Sequence, residues 1–153
     1  MRINISMYNT YKGKFVPTNH KKYKGNFQDI TYRSGWEKSF MMHLDHNPKV
    51  VKWSSEEVVI NYLWSADGKR HRYFMDFYAK YDSGQEFWFE VKPFIQTQEP
   101  KCQGKTKKRQ LDEALTYSKN RDKWLAAHTL ATKMGVKFII LTEVGLRRLG
   151  VKI

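Results

Sequence analysis

Two acids and a lysine interrupt aromatic, strand-like segments near the middle of the chain. Glu90 and Lys92 lie two residues apart in the segment 87–94, FWFEVKPF, and Asp76 is the only acid in the segment 72–78, RYFMDFY. Because side chains alternate across a strand, Glu90 and Lys92 should share one face. Charged groups are costly to bury among aromatic side chains unless they are paired or used. The three residues therefore form a candidate reactive site.

The chemistry that suits these groups is metal-assisted hydrolysis of a phosphodiester bond. The carboxylates of Asp76 and Glu90 offer the hard oxygen ligands that Mg²⁺ prefers, and Mn²⁺ is the expected substitute. Such an ion polarises the phosphoryl group and helps to generate hydroxide. We expect Lys92 to orient the attacking water or to offset charge in the transition state. The backbone carbonyl of Val91 is a candidate neutral ligand.

Structural alternatives exist for the same residues. Asp76 could be a core acid paired with an arginine such as Arg72, and Glu90 and Lys92 could be a cross-strand pair at a sheet edge. An acid two residues before a lysine is a weak signal by itself, since it occurs by chance in most proteins. The combination with an acid on the preceding strand and a helical glutamate upstream is much stronger and favours a site.

The upstream glutamate is Glu37, on a helix predicted for residues 34–46 with Ser34 as N-cap and Asn47-Pro48 after its end. At about 100° per residue, Glu37 falls within an apolar arc formed by Trp36, Phe40, Met41 and Leu44. A solvated residue is not expected there, so we predict Glu37 as a fourth member of the metal site. The alternative is a capping box, Ser34-x-x-Glu37, and the two roles are compatible.

The elements that must position these residues follow from the same patterns. Three strand-like segments are joined by turn signals into a predicted antiparallel meander, and they span residues 56–64, 70–80 and 86–92. A helical segment follows at 107–134, as two helices or as one interrupted near 118–121, with Gly135 as its C-cap. The apolar segment 136–142 predicts a buried central strand reached by a crossover, and residues 143–153 a short helical tail. This order predicts an α/β fold with a mixed sheet.

Composition places the chain among globular proteins with a polyanionic partner. Its 153 residues suit one domain, and 28 basic against 15 acidic residues give a net charge of +13. Nucleic acid is the favoured partner over a membrane, because there is no long amphipathic helix with a basic face, and general solubility is the alternative. The N-terminus has no continuous apolar stretch, so we do not expect a secretory signal. Cys102 is the only cysteine, which excludes an intrachain disulfide and favours a reducing compartment.

The basic residues divide between an arm and the domain. We predict residues 1–31 to be a basic arm, ordered only where it packs on the body or on DNA, and residues 32–153 to be a single domain. Candidate DNA contacts are the cations near the site, namely Arg33, Lys101, Lys105, Lys107, Lys108 and Arg109. For the cluster after residue 100, the alternative is an ordinary solvated helix start. His71 is predicted near Asp76 as a structural partner.

The set Glu37, Asp76 and Glu90-Val91-Lys92 resembles the PD-(D/E)xK nuclease superfamily, over roughly residues 32–143. Met75 stands where the motif has its nominal proline, a common departure. The resemblance implies a restriction-endonuclease-like core, whose element order α-β-β-β-α-β agrees with the order predicted from the sequence pattern. It also implies a Mg²⁺-dependent endodeoxyribonuclease.

Further motifs resemble two narrower families, the TnsA-like transposon endonucleases and the head completion nucleases of T-even-like tailed phages. They are Tyr32-Arg33-Ser34, His71-x-Tyr73-x-x-Asp76-Phe77, Pro93 and Phe138-Ile-Ile-Leu-Thr142-Glu143. The short chain and basic arm favour the phage family.

The phage resemblance implies action on packaged DNA ends, with DNA and phage head or portal proteins as partners and no membrane or small-molecule cofactor. It places the protein in the infected cell's cytoplasm or in the virion. The alternative is a non-catalytic, DNA-end-binding structural component of the phage head.

Overall fold

A four-stranded mixed sheet forms the centre of the fold, with helices on both faces and a separate hairpin beside it. The computed structural model describes residues 12–153. In chain order the elements are β1 (Gly13–Lys14), β2 (Thr31–Tyr32), α1 (Gly35–His46), β3 (Val50–Ser55), β4 (Val59–Trp64), β5 (Lys69–Phe74), β6 (Phe77–Tyr81), β7 (Glu86–Val91), α2 (Lys107–Met134), β8 (Lys137–Leu141) and α3 (Glu143–Arg148). Short 3₁₀ helices lie at His20–Lys22 and Phe94–Thr97.

The central sheet has the strand order β3-β6-β7-β8. Strand β6 is antiparallel to both β3 and β7, whereas β8 is parallel to β7 because the long helix α2 carries the chain back between them. The predicted α/β fold with a mixed sheet is confirmed. In the described chain β8 lies at the edge of this sheet and only Leu141 among its residues is buried. The prediction of a buried central strand was therefore wrong.

The predicted meander was also wrong, because the segment 70–80 forms two strands that belong to different sheets. Within residues 12–153, strand β5 pairs only with β4 in a two-stranded sheet, and β6 lies in the central sheet between β3 and β7. The chain changes sheets at Met75 and Asp76, where Met75 N–H donates to the Val58 carbonyl at 2.8 Å. The neighbour of β6 is β3, a strand that the sequence interpretation had missed.

Both faces of the central sheet are covered. Successive side chains of β7 point to opposite faces of the sheet, as the sequence predicted. Phe89 and Val91 lie in a core with α1, where Phe40 and Leu44 are fully buried. Trp88 lies in the opposite core, which includes Ile60, Tyr62, Tyr73, Ala127 and Ala131. The face that holds Trp88 is therefore the face toward the β4–β5 hairpin and α2.

The helices have the ends that their capping residues predict. Ser34 Oγ accepts a hydrogen bond from Glu37 N–H at 3.1 Å at the start of α1. Helix α2 begins after the N-cap Thr106 and ends at Gly135, which has a left-handed φ of 72°. Helix α2 is continuous, so the interruption considered near 118–121 is absent; no Gly or Pro breaks the sequence there.

Residues 12–31 pack against the rest of the chain. Strand β1 pairs with β2, and Phe15, Tyr23 and Ile30 are buried in the same core as α1. This part of the predicted arm therefore shares a core with the domain, whereas residues 1–11 lie outside the described chain. None of the described helices is long and apolar enough to cross a membrane.

Candidate active site

A pocket of about 300 Å³ opens where α1, the end of β7 and the link between β5 and β6 meet. Its lining consists of Lys12, Arg33, Ser34, Glu37, Asp76, Glu90, Val91 and Lys92. All five residues predicted for catalysis or metal binding are therefore in one place. They come from three separate elements, so the fold creates the pocket by bringing these elements together.

Asp76 lies in the link between the two sheets and is anchored to β7. Its Oδ2 accepts a hydrogen bond from the backbone N–H of Val91 at 2.8 Å, so the carboxylate faces the end of that strand. Burial and the neighbouring charges of Glu90 and Glu37 raise the pKa of Asp76 well above its usual range. No ion pair joins it to Arg72, whose guanidinium lies over the Phe74 ring. The pairing alternative is therefore wrong.

Glu90 is a buried acid in an interior strand of the central sheet. Its Oε2 accepts a short hydrogen bond from the Tyr73 hydroxyl, and its Oε1 lies 3.7 Å from Lys92 Nζ. The side chains of Glu90 and Lys92 are only 7% and 19% exposed. Since β7 lies between β6 and β8, the two residues are not an ion pair at a sheet edge.

Glu37 both caps its helix and lines the pocket. Its Oε2 accepts a hydrogen bond from the backbone N–H of Arg33 at 3.0 Å, one residue before the N-cap. Burial raises the pKa of the Glu37 carboxyl, and the negative charges of Glu56 and Glu90 raise it further, whereas Arg33 opposes this shift. Glu37 therefore makes a capping contact and also lines the pocket, whereas its role as a fourth member of the metal site stays a prediction.

The donor set in this pocket suits a hard divalent cation with few protein ligands. Asp76 and Glu90 bring carboxylates to the pocket, and Val91, whose backbone carbonyl is the predicted neutral ligand, lines it as well. Among residues 12–153, no three His, Cys, Asp or Glu side chains are close enough to hold an ion together. Mg²⁺ fits such a site, because it keeps several of its waters and binds through one or two carboxylates. A bound cation would also relieve the repulsion that raises the pKa of Asp76.

Two functional neighbours were missed by the sequence interpretation. Tyr73 orients Glu90 through its hydroxyl, whereas the sequence motif that contains Tyr73 assigned it no role. Lys123 comes from α2, and its Nζ lies 5.3 Å from the centre of the Tyr73 ring. Burial lowers the pKa of Lys123, while the charge of Glu90 opposes the shift. No spacing rule links residue 123 to the strands, so only the fold reveals it.

The rim of the pocket carries a fork-like ion pair between Arg33 and Glu56. Arg33 Nε lies 2.9 Å from Glu56 Oε1, and Nη2 lies 3.3 Å from Oε2. Glu56 has a φ of 56°, an uncommon left-handed conformation for a residue with a side chain. Its backbone N–H donates to the Asp76 carbonyl at 3.2 Å. This strained residue therefore fixes both the arginine and the backbone that carries Asp76.

The other predicted DNA contacts lie outside this pocket. Lys105 and Arg109 both pair with Glu113, at 2.5 Å and 3.0 Å. Lys101, Lys107 and Lys108 are exposed. His71 pairs with Asp67 at 2.7 Å rather than with Asp76, so its predicted position was wrong.

Comparison with known proteins identifies the family. The family model for the TnsA-like endonuclease N terminal matches residues 47–143. The chain belongs to the TnsA-like endonucleases. In this TnsA-like chain the matched segment contains Asp76, Glu90, Val91 and Lys92, whereas Arg33 and Glu37 precede it. A curated relative, the head completion nuclease of Enterobacteria phage T4, is 52% identical over 146 residues, which cover 93% of this chain and 97% of the relative.

Proposed function

We propose that this protein is a metal-dependent DNA endonuclease that hydrolyses phosphodiester bonds, with Mg²⁺ or Mn²⁺ at Asp76 and Glu90. One observation carries the proposal: the Asp76 carboxylate, from the link between β5 and β6, lines the same pocket as the Glu90 carboxylate and the Lys92 amine at the end of β7. Membership of an endonuclease family supports it. When bound, the ion supplies Lewis-acid polarisation of the phosphoryl group.

The protein's own residues hold the reacting groups in fixed positions. The Val91 N–H orients the Asp76 carboxylate, and the Tyr73 hydroxyl orients Glu90. Lys92, next to Glu90 Oε1, places a positive charge where negative charge increases on the phosphoryl oxygens. Glu37 completes the acidic lining, and Arg33 at the rim is positioned to contact a neighbouring phosphate.

We further propose the biological setting of the T4 relative, whose name is head completion nuclease. The protein would act on the ends of packaged DNA, in the cytoplasm of the infected cell or in the virion. Phage head or portal proteins are the proposed partners. The charge of +13 supports a DNA substrate, since phosphate contacts dominate affinity for nucleic acid. Lys101, Lys105, Lys107, Lys108 and Arg109 are the proposed additional phosphate contacts.

A non-catalytic, DNA-end-binding component of the phage head is the competing function. Incubation of supercoiled plasmid with the protein and Mg²⁺, Mn²⁺ or EDTA separates the two. We expect nicked and linear products with either metal, none with EDTA, and none with Asp76→Ala. The matched control is Asp82→Ala, which removes the same charge from an exposed turn and should cut normally. An intact plasmid under all conditions would support the structural role.

A further inference from the structure

The β4–β5 hairpin has an outer face that carries cations and apolar side chains. Cross-strand partners in the hairpin are Val59 with Phe74, Asn61 with Arg72 and Leu63 with Arg70. Directly paired residues in an antiparallel ladder point to the same side. All six are exposed, and Leu63 is 61% accessible. Val59, Leu63 and Phe74 form an exposed apolar group beside the two arginines, and such a group on one face indicates a binding partner.

The opposite face of the hairpin fixes its position. Ile60, Tyr62 and Tyr73 are buried in the core that includes Ala127 and Ala131 of α2. The Tyr73 hydroxyl reaches Glu90, so the hairpin is attached to the candidate active site itself. Strand β5 ends at Phe74, two residues before Asp76. The outer face of the hairpin therefore begins beside the pocket at Phe74 and extends away from it along β4 and β5, whose inner face is packed in the core.

We propose that this outer face binds duplex DNA next to the bond that is cut. The inference rests on the proposed function, because it names a substrate-binding surface for the same site. None of the six residues is acidic, and Arg70 and Arg72 contribute two positive charges that lie about 6.8 Å apart along the strand. Arg72 is held with its guanidinium 5.6 Å from the centre of the Phe74 ring.

Duplex DNA fits this face better than a protein does. The major groove is about 12 Å wide and admits a two-stranded β-ribbon. Arginine and asparagine are side chains that hydrogen-bond base edges and phosphates, and Val59 and Leu63 suit contact with thymine methyl groups. The charge of the whole chain, +13, also complements a polyanion.

The test compares two double variants that remove the same charge. Arg70→Gln/Arg72→Gln changes the proposed face, and Arg147→Gln/Arg148→Gln changes exposed arginines at the end of α3. Binding of a labelled duplex is measured by fluorescence anisotropy over a range of salt concentrations, without divalent metal. We expect the first variant to lose about tenfold in affinity and to lower the salt slope by about 1.8, because each phosphate contact contributes about 0.9. The second variant should keep the wild-type slope.

A variant that is expected to bind more tightly distinguishes loss of a DNA contact from loss of folding, because a misfolded protein would not gain affinity. Leu63→Arg adds a cation to the same face at a well-exposed position and should tighten binding with a steeper slope. Unchanged affinity and slope in both the hairpin variants would overturn the proposal and leave a protein as the partner of this face. Because no metal is present, the result is independent of cleavage. A wild-type protein that binds through the hairpin yet never cuts plasmid would reject the endonuclease function alone.

Discussion

The Tyr73 hydroxyl donates a hydrogen bond to Glu90 Oε2 across the boundary between the two sheets. Tyr73 belongs to β5 of the hairpin, whereas Glu90 belongs to β7 of the central sheet. Burial and the charge of Glu90 raise the pKa of Tyr73, so the phenol stays protonated and remains a donor. One buried contact thus joins the proposed DNA-binding ribbon to the proposed metal site.

Removal of this hydroxyl should weaken the metal site without unfolding the protein. We expect Tyr73→Phe to raise the Mg²⁺ concentration needed for half-maximal cleavage by about 10-fold or more, the usual effect of losing a partner that orients a metal ligand. The measurement is the cleavage rate as a function of Mg²⁺ concentration, together with the melting temperature. Tyr62→Phe is the matched control, since Tyr62 is buried in the same hairpin core. Equal Mg²⁺ requirements for the two variants would contradict the orienting role.

Neutralisation of Asp76 should stabilise the protein when no metal is present. The raised pKa means that the folded state binds this proton more tightly than the unfolded chain does. The free energy of unfolding therefore falls as pH rises above about 4, the ordinary value for this acid. Asp76→Asn keeps an acceptor for the Val91 N–H and removes the charge. In EDTA at pH 7 we expect its melting temperature to exceed that of the wild type by about 2 °C or more, the shift that ~1 kcal/mol produces at this size.

The same experiment with Mg²⁺ provides the control. A cation bound at Asp76 and Glu90 stabilises the folded wild type by mass action, so its melting temperature should rise with Mg²⁺ concentration. Asp76→Asn should show a much smaller rise. If the melting temperature of the wild type does not respond to Mg²⁺ or Mn²⁺ at millimolar concentrations, the proposed ligand pair is wrong.

Glu37→Gln separates the capping role from a role in the site. Glutamine keeps an oxygen that can accept from Arg33 N–H and loses the negative charge. A role limited to capping predicts nearly wild-type cleavage, whereas we expect at least about a 10-fold loss of rate with the melting temperature retained. Glu37→Ala removes both contributions and should lower both quantities. Normal cleavage by the glutamine variant would leave Glu37 as a cap alone.

Lys92→Met tests electrostatic stabilisation of the transition state. Methionine approximates the length of the lysine stem and removes the charge beside Glu90 Oε1. We expect the single-turnover cleavage rate to fall by roughly 10²-fold or more, as is common when a preorganised charge is lost. DNA affinity should change little, because Lys92 is one of 28 basic residues. A parallel loss of affinity and rate would instead place Lys92 among the ground-state phosphate contacts.

The first turn of α2 should contribute phosphate contacts through its exposed lysines. Lys107→Gln/Lys108→Gln is expected to lower the salt slope of DNA binding by about 1.8. Arg109→Gln should have a smaller effect, because Arg109 is paired with Glu113 at 3.0 Å and must exchange that partner for a phosphate. Anisotropy titrations over a range of salt concentrations compare the two. Identical slopes in wild type and the double variant would place the DNA path away from this turn.

The relative positions of Glu90 and Lys92, and of Ser34 and Glu37, could be predicted because each pair is close in sequence within one strand or one helix. The two-residue period of β7 alone puts Glu90 and Lys92 on one face, and Ser34 followed by Glu37 specifies the start of α1. These rules involve neighbours in sequence, so they hold before any tertiary contact is known. Local rules do not provide the pairing of Asp76 with Glu90. It was inferred from the ligands that metal-assisted hydrolysis requires, and the resemblance to known nucleases agreed with it.

The sheet arrangement was less predictable, since it depends on contacts distant in sequence. Residues 70–80 are β-favouring throughout, and nothing local marks the change of sheet at Met75 and Asp76. That change is set by the backbone contacts with Val58 and Glu56. Strand β8 is apolar enough for a central position, yet it lies at the sheet edge next to β7. An apolar segment indicates that its side chains are covered. It does not indicate whether strands lie on both sides of it in the sheet.

The continuity of α2 has a consequence for internal motion. Its 28 residues extend about 42 Å. Its first buried residue, Asn120, ends the first half, and the other two, Ala127 and Ala131, lie in the second half. The first half is held mainly by surface contacts, including the pairs with Glu113, which contribute little stability. Local opening should therefore start at Lys107 and proceed toward Asn120, so backbone amides will exchange with solvent in a graded order along one helix. Bound DNA that reaches this end would slow that exchange, making α2 a built-in reporter of how far the duplex extends from the pocket.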